Sequence, residues 1–229
     1  RGALQLNTTG TANVAVGALA GDALTVGSSN VAIGYNSLST EDGHGANVAV
    51  GTNALAVQNA GANGYNTAVG HNAGLSVTTA VETTLVGALA GDAITTGGYN
   101  TGFGSAALGA TTTATFNTAV GRNALGANTT GASNVAVGGQ ALDANTTADN
   151  NTAVGTSSLG ASTTGTSNTA VGQASLGSNT TASNNTAVGK GALTANTTGT
   201  ANTAVGTSAL IANTTANSNT AIGKDALLA

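Results

Sequence analysis

The chain is a tandem repeat in which the phrase Asn-(Thr/Val)-Ala-Val-Gly and its close variants recur thirteen times. Eleven of the twelve intervals are 17 residues long and one is 19. A fixed period of this length indicates that one structural element is stacked on copies of itself and contacts only its neighbours. We number each repeat from position 1, its asparagine, to position 17, the residue directly before the next repeat; in the 19-residue repeat the last residue is also called position 17. Position 1 falls at residues 13, 30, 47, 66, 83, 100, 117, 134, 151, 168, 185, 202 and 219.

The regularity of the repeat changes along the chain. Residues 1–229 are expected to form a single continuous repeat array, with irregular repeats over residues 1–116 and near-uniform repeats over residues 117–229. Both ends of the sequence fall inside a repeat. We therefore expect the chain to be a window of a longer fibre.

The residues after the asparagine predict a short β-strand. Position 2 is Thr or Val in every copy, position 3 is Ala in eleven copies, and position 4 is Val or Ile in twelve, with Phe103 in the other. Alternation along a strand places positions 2 and 4 on one face and position 3 on the opposite face. We expect the β-branched residues and the leucine of position 9 to form the interior, and an Ala/Val stripe to remain exposed.

The rest of the repeat predicts corners and a return path. Position 5 is Gly in all thirteen copies, which indicates a positive φ or a close approach of another backbone. Positions 8 and 9, mostly Ala-Leu, predict a second, shorter strand. Asn-Thr-Thr-(Gly/Ala) at positions 12–15 is typical of a turn, with asparagine in the left-handed region. The asparagines of position 1, replaced once by Thr83, are expected to form a ladder along the axis.

These elements predict an all-β protein, a parallel β-roll or β-solenoid of 17-residue coils. Helices are excluded because Gly and Asn-Thr-Thr interrupt every helical window. Propeller blades require about 40 residues per repeat. A coil this short encloses little, so its exposed stripe is expected to be covered by partner chains.

Composition excludes several functions. Four basic residues and a net charge of −4 provide no basic stripe for nucleic acid, and no apolar run approaches the ~18 residues of a membrane span. A repeated coil presents the same residues everywhere, and neither a catalytic triad nor a phosphate loop occurs. We therefore expect a non-enzymatic protein and assign no catalytic, cofactor-binding or metal-binding residue.

Departures from the repeat before residue 117 are the candidate interaction loops. The acidic segment after position 11 of the second repeat is expected to be a solvated loop, and a cation site is the alternative reading. Three aromatic residues, Tyr65, Tyr99 and Phe116, share position 17 and are expected to pack against the Asn-Thr-Thr turn, with stacking on sugars as the alternative. The candidate residues are Glu41, Asp42, His44, Asn59, Asn63 and Tyr65.

Three phrases of the chain resemble a known family. Residues 29–34, 133–138 and 167–172 (Ser-Asn-Val-Ala-Ile-Gly, Ser-Asn-Val-Ala-Val-Gly and Ser-Asn-Thr-Ala-Val-Gly) resemble the Asn-Ser-Val-Ala-Ile-Gly motif of YadA-like head repeats in trimeric autotransporter adhesins. The tandem repeat is also similar to the shafts of tail-fibre proteins. The resemblance implies a left-handed parallel β-roll, three chains around a threefold axis and a surface-exposed adhesive fibre. The 17-residue coil is longer than the usual family repeat.

The expected function is a structural or adhesive fibre segment on a cell surface or virion, outside the cell, that mediates or spaces attachment. Its expected partners are two further copies of the chain in a homotrimer, and a host surface glycan or matrix protein. One alternative is a scaffolding shaft without a ligand. An ice-binding solenoid is a weaker alternative because the residue beside the position-2 threonine is Val, which breaks the required Thr-x-Thr array.

Overall fold

The computed structural model describes residues 2–228, and every strand in this range has three residues. The chain divides into two compact units, Arg1–Phe116 and Asn117–Ala229. The strands of unit 1 are β1 (Val14–Val16), β2 (Val31–Ile33), β3 (Val48–Val50), β4 (Thr67–Val69), β5 (Thr84–Val86) and β6 (Thr101–Phe103). The strands of unit 2 are β7 (Thr118–Val120), β8 (Val135–Val137), β9 (Thr152–Val154), β10 (Thr169–Val171), β11 (Thr186–Val188), β12 (Thr203–Val205) and β13 (Thr220–Ile222).

Within each unit, every strand pairs in parallel with the strand of the next repeat, and identical repeat positions face each other. In β9 and β10, for example, Ala153 pairs with Ala170 and Val154 with Val171. The 19-residue repeat keeps this register, since Ala49 pairs with Ala68. The predicted all-β parallel solenoid of 17-residue coils is confirmed. The left-handed coil and the three-chain assembly stay predictions.

The predicted interior face of the strand is wrong. Ala153 and Ala170 at position 3 are fully buried, whereas Val154 and Val171 at position 4 are only half-buried and point outward with position 2. The interior of a regular coil is already occupied by the leucine of position 9, the small residue of position 8 and the asparagine of position 1. Little space remains opposite the strand, so a small side chain fits there and a β-branched one does not.

The predicted second strand is also wrong. Positions 6 to 11 form consecutive tight turns in the regular coils, with left-handed residues at positions 7 and 9. The position-9 leucines have φ between 47° and 60° and are almost all fully buried. Backbone bonds between coils hold these turns; for example, the Leu159 N–H donates to Ser175 O at 3.0 Å.

The predicted glycine corner at position 5 is confirmed, and both physical reasons for it apply. The position-5 glycines have φ between 123° and 142°. A Cβ added at Gly172 would lie 2.6 Å from the carbonyl carbon and oxygen of Gly189 in the next coil. Coils therefore stack at a distance that only glycine permits at this corner.

The irregular coils of unit 1 keep their interior filled, because a small residue at one repeat position is matched by a large residue at another. Position 9 is glycine at Gly21, Gly74 and Gly91, and in the third of these repeats position 3 is Leu85 instead of Ala. A Cβ at Gly91 would lie 2.7 Å from Leu85 Cδ2 and 2.8 Å from Ile94 Cδ1. The following coil has Gly102 at position 3, where a Cβ would lie 3.3 Å from Leu85 Cδ2. Leu85 and the apolar residues that these three repeats carry at position 12 (Leu24, Val77 and Ile94) thus fill the space of the missing leucines.

The buried asparagines of position 1 connect each coil to the next. Asn151 Oδ1 accepts the backbone N–H of Asn168 at 2.9 Å, and Asn151 Nδ2 donates to Gly165 O of its own coil at 2.8 Å. The predicted ladder therefore exists, but most of its bonds join a side chain to the backbone. Each amide satisfies two buried backbone groups that water cannot reach.

A second buried column lies at position 12, where the turn pattern predicts a left-handed asparagine, and it is polar except at Leu24, Val77 and Ile94. Asn196 is fully buried; its Nδ2 donates to Asn179 Oδ1 at 3.1 Å, and its Oδ1 accepts from Asn213 Nδ2 at 2.9 Å. Asn196 Nδ2 also donates to Gly199 O at 2.9 Å, as expected of a turn asparagine. No position-12 asparagine in residues 2–228 has a positive φ, so this part of the prediction is wrong.

Candidate functional site

The outward face of the sheet is a surface that recurs in every repeat. We call it the Thr/Val face, formed by the side chains of repeat positions 2 and 4. None of the thirteen repeats has a charged residue at either position. In unit 2 these side chains are mostly half-buried by their neighbours in the next coils, and in unit 1 Phe103 at position 4 is 56% exposed. The face is uncharged, β-branched and repeats the same pattern at every coil.

A second exposed feature is a column of aromatic residues at position 17 of unit 1. Tyr65, Tyr99 and Phe116 are each about half exposed, with φ between 50° and 60°. Tyr99 and Phe116 stack with ring centroids 5.0 Å apart and planes 9° from parallel. Packing against the turn was predicted, but these rings leave about half of their surface in solvent. Glu82 occupies position 17 between Tyr65 and Tyr99.

The 19-residue repeat forms an exposed bulge on the turn side of unit 1. Asn59 and Asn63 are both exposed, and Asn63 Oδ1 accepts the Gly45 N–H of the preceding coil at 3.0 Å. Beneath the bulge, Gln58 is fully buried at position 12, where it bonds to Asn47 Oδ1 at 3.3 Å and Asn66 Nδ2 at 3.0 Å. Asn63 is therefore fixed beside the preceding coil's turn, whereas Tyr65 belongs to the aromatic column.

The acidic segment brings three of the predicted residues together. Glu41 is fully buried at position 12, His44 is half-buried at position 15, and Asp42 is exposed between them. One ligand atom from each residue lies within 4.8 Å of the other two. Glu41 Oε1 accepts the His44 N–H at 3.0 Å and lies 3.5 Å from His44 Nδ1. The expected solvated loop is wrong for Glu41.

Burial controls the electrostatics of this cluster. Removal from water disfavours the charged carboxylate and raises the pKa of Glu41, against the opposing effects of the His44 N–H bond and the His44 charge. Glu41 Oε2 and His44 Nδ1 are both buried and have no hydrogen-bond partner. The cluster thus has two unsatisfied ligand atoms at the base and an exposed carboxylate at the rim.

The Thr/Val face was missed by sequence reasoning because its side chains were assigned to the interior. A signal for the correct orientation is present at Phe103, whose ring is too large for the interior of a 17-residue coil. A second signal is Leu85, which replaces alanine in the repeat whose position 9 is Gly91.

Comparison with known proteins found no matching family model, no matching curated protein and no matching solved structure. Within residues 2–228, no helical segment is long and apolar enough to span a membrane.

Proposed function

We propose that this chain is a non-enzymatic, structural and adhesive fibre segment, exposed on a cell surface or virion, in which copies of the chain associate through the Thr/Val face. The observation that carries the proposal is the uncharged outward face, repeated in the same pattern by every coil. The resemblance of residues 29–34, 133–138 and 167–172 to YadA-like head repeats supports the same conclusion and adds the expectation of three chains.

The proposed occupant of the Thr/Val face is the same face of two further copies. A repeated apolar and threonine stripe is an unusual surface for an isolated chain, since large contiguous apolar patches mark interaction sites. Identical chains in the same axial register would present the same spacing to each other at every coil. With no charged residue at repeat positions 2 and 4, close approach of three faces involves no like-charge repulsion.

Association through this face is tested by one substitution on it and one on the opposite side of the same coil. Val171→Lys would bring three ammonium groups together in a dry interface, which is strongly unfavourable. Thr181→Lys, at an exposed turn position, is the matched control. By sedimentation velocity we expect a trimer for the wild type and the control, and a monomer for Val171→Lys. A monomeric wild type, or dissociation of the control alone, would refute the proposed interface.

Attachment is proposed to reside on unit 1, where the departures from the repeat are exposed. The segment 40–65 presents Asn59, Asn63 and Tyr65, and an exposed aromatic ring such as that of Tyr65 is suited to the apolar face of a sugar. The test is binding of the chain to arrayed host glycans and matrix proteins, before and after the segment is made regular: residues 40–46 are replaced by positions 11–17, and residues 47–65 by one whole 17-residue repeat, of the uniform sequence. Binding that the replacement removes supports adhesion. Absence of binding by both proteins would favour the scaffolding shaft.

A further inference from the structure

Two unusual residues occur together at the turn of the second coil. Position 12 carries a neutral side chain in every other repeat, and Glu41 is its single carboxylate. Position 15 is Gly or Ala in every other 17-residue repeat, and His44 is its single large residue. The two replacements lie three residues apart in one coil, and the structure places their side chains in contact. They therefore form one feature and are to be explained together.

Glu41 and His44 do not simply reproduce the hydrogen bond that position 12 makes in the regular coils. In regular coils the position-12 amide donates to the carbonyl of position 15, as Asn196 does to Gly199 O at 2.9 Å. A carboxylate cannot donate this bond; Glu41 Oε1 instead accepts the His44 N–H, and Oε2 is left buried without a partner. A buried oxygen without a hydrogen-bond partner is destabilising, and more so when it is charged. A cation held by this carboxylate and by the unpartnered Nδ1 of His44 would neutralise the charge that the buried Oε2 shares.

The surrounding backbone leaves the third ligand free. The Asp42 carbonyl accepts bonds from the Thr25 N–H at 2.8 Å and the Thr25 hydroxyl at 2.9 Å. These bonds fix the backbone of the segment against the preceding coil while the Asp42 carboxylate stays exposed beside the cluster. One Asp42 carboxylate oxygen lies within 4.8 Å of the ligand atoms of Glu41 and His44, so it is available as the third ligand.

The donor set and its spacing fit zinc. Zn²⁺ takes imidazole nitrogen and carboxylate oxygen at about 2.0–2.2 Å in a tetrahedral arrangement, which places neighbouring ligand atoms about 3.4 Å apart. His44 Nδ1 and Glu41 Oε1 are 3.5 Å apart, and the third ligand atom lies within 4.8 Å. Three protein ligands would leave a fourth position for water. Calcium fits less well, because it prefers six to eight oxygen ligands.

We propose that Glu41, Asp42 and His44 form a binding site for a single divalent transition-metal ion of the zinc class. The ion neutralises the buried carboxylate and links the turn at position 12 to that at position 15. The site lies on the turn side of the coil, away from the Thr/Val face, so it is independent of the proposed chain association.

Titration of the chelator-stripped chain with Co²⁺ and then Zn²⁺ tests this site. We expect the visible absorption bands of four-coordinate cobalt to appear with one equivalent per chain and to disappear when Zn²⁺ is added. One equivalent of Zn²⁺ should also raise the unfolding temperature, because the ion binds only the folded site. Absence of the bands and of a zinc-dependent shift in the wild type would overturn the proposal.

The two histidines of the chain provide a matched pair of variants. His44→Ala restores an alanine that five other repeats carry at position 15, so the coil should fold, and we expect it to abolish the cobalt bands. His71→Ala removes an exposed histidine of the fourth coil and should leave them unchanged. Glu41→Gln should abolish binding while the shape of the buried side chain is kept. Bands that survive His44→Ala, or that His71→Ala removes, would place the ion elsewhere and overturn the assignment.

Discussion

The close stacking of the coils can be tested by adding one methyl group to the corner glycine of repeat position 5. Gly172 has a φ of 131°, a value that residues with side chains rarely adopt. The Cβ of a Gly172→Ala variant would lie 2.6 Å from the Gly189 carbonyl and 2.9 Å from the Lys190 nitrogen. These neighbours are backbone atoms of the next coil, so no side chain can rotate away to relieve the overlap.

Two effects contribute to the cost of this substitution. Holding alanine in the glycine conformation costs about 1–3 kcal/mol. Restoring ordinary contact, from 2.6 Å to 3.4 Å, requires the two coils to separate by about 0.8 Å at this corner. The bond from the Gly189 N–H to Val171 O, 2.7 Å long, would be lost or weakened, at about 1–3 kcal/mol. We therefore expect a loss of about 2–6 kcal/mol in the free energy of unfolding.

The control is Gly177→Ala at position 10 of the same coil, which has no positive φ. Its Cβ would contact only its own turn, at 3.1 Å from Ala174 O, and other repeats carry Ala, Ser, Asp or Thr at this position. We expect it to be within about 0.5 kcal/mol of the wild type. Urea unfolding followed by circular dichroism measures both variants. Equal stability of the two variants would refute the close stacking at position 5.

Three further predictions concern the interior and its charges. Asn151→Ala leaves two buried backbone groups without partners and should cost about 2–5 kcal/mol in urea unfolding. Thr181→Ala, at an exposed turn position without a positive φ, should change stability by less than about 0.5 kcal/mol. Equal losses would contradict the role of the amide column. Gly91→Leu should destabilise the chain by about 1–3 kcal/mol. The double variant with Leu85→Ala should lose less stability than the sum of the two single losses, because both side chains require the same space. Strict additivity in a double-mutant cycle would disprove the volume exchange. Burial raises the pKa of Asp143, so the folded chain binds this proton more readily than the unfolded chain. The wild type should therefore gain stability relative to Asp143→Asn as the pH falls from neutral to below 3.8, the ordinary pKa of the group. A loss of relative stability over this range, measured by urea unfolding, would contradict the raised pKa.

The strand and its corner could be predicted from the sequence, but the direction of the strand's faces could not. Alternation of Thr, Ala and Val identifies two faces without saying which one is buried. Large β-branched residues usually point inward, and this expectation failed because the coil is too narrow to hold them beside the leucine of position 9. The exchange between Leu85 and Gly91 shows that position 3 shares the interior with position 9, and it is visible in the sequence once the two positions are compared.

The turns were less predictable because local preference and stacking oppose each other. Leucine and alanine disfavour left-handed conformations, yet Leu159 and Ala174 adopt them with φ of 49° and 55°. Their backbone N–H groups bond to carbonyls of neighbouring coils, and the leucine side chain is buried as a result. These gains depend on residues 17 positions away, so no local sequence pattern contains them.

The candidate loops can be located by their departure from the repeat, but their chemistry depends on how deeply each side chain is buried. The burial of Glu41 and Gln58 follows from their place at position 12, a column that the turn pattern predicts to be exposed. Once that column is known to be buried, a carboxylate in it is unusual, and its contact with His44 follows from the spacing of three residues.

The most direct test of the proposed association is the distance between copies of the chain, measured by pulsed electron paramagnetic resonance. The chain has no cysteine, so Val154→Cys places a single nitroxide label on the Thr/Val face, and Thr164→Cys places one on the exposed turn of the same coil. If three faces meet at about the 10 Å spacing of packed sheets, the Val154 label should give the shorter interchain distance and the Thr164 label a clearly longer one. No interchain distance for either label, or the shorter distance at Thr164, would contradict assembly through this face.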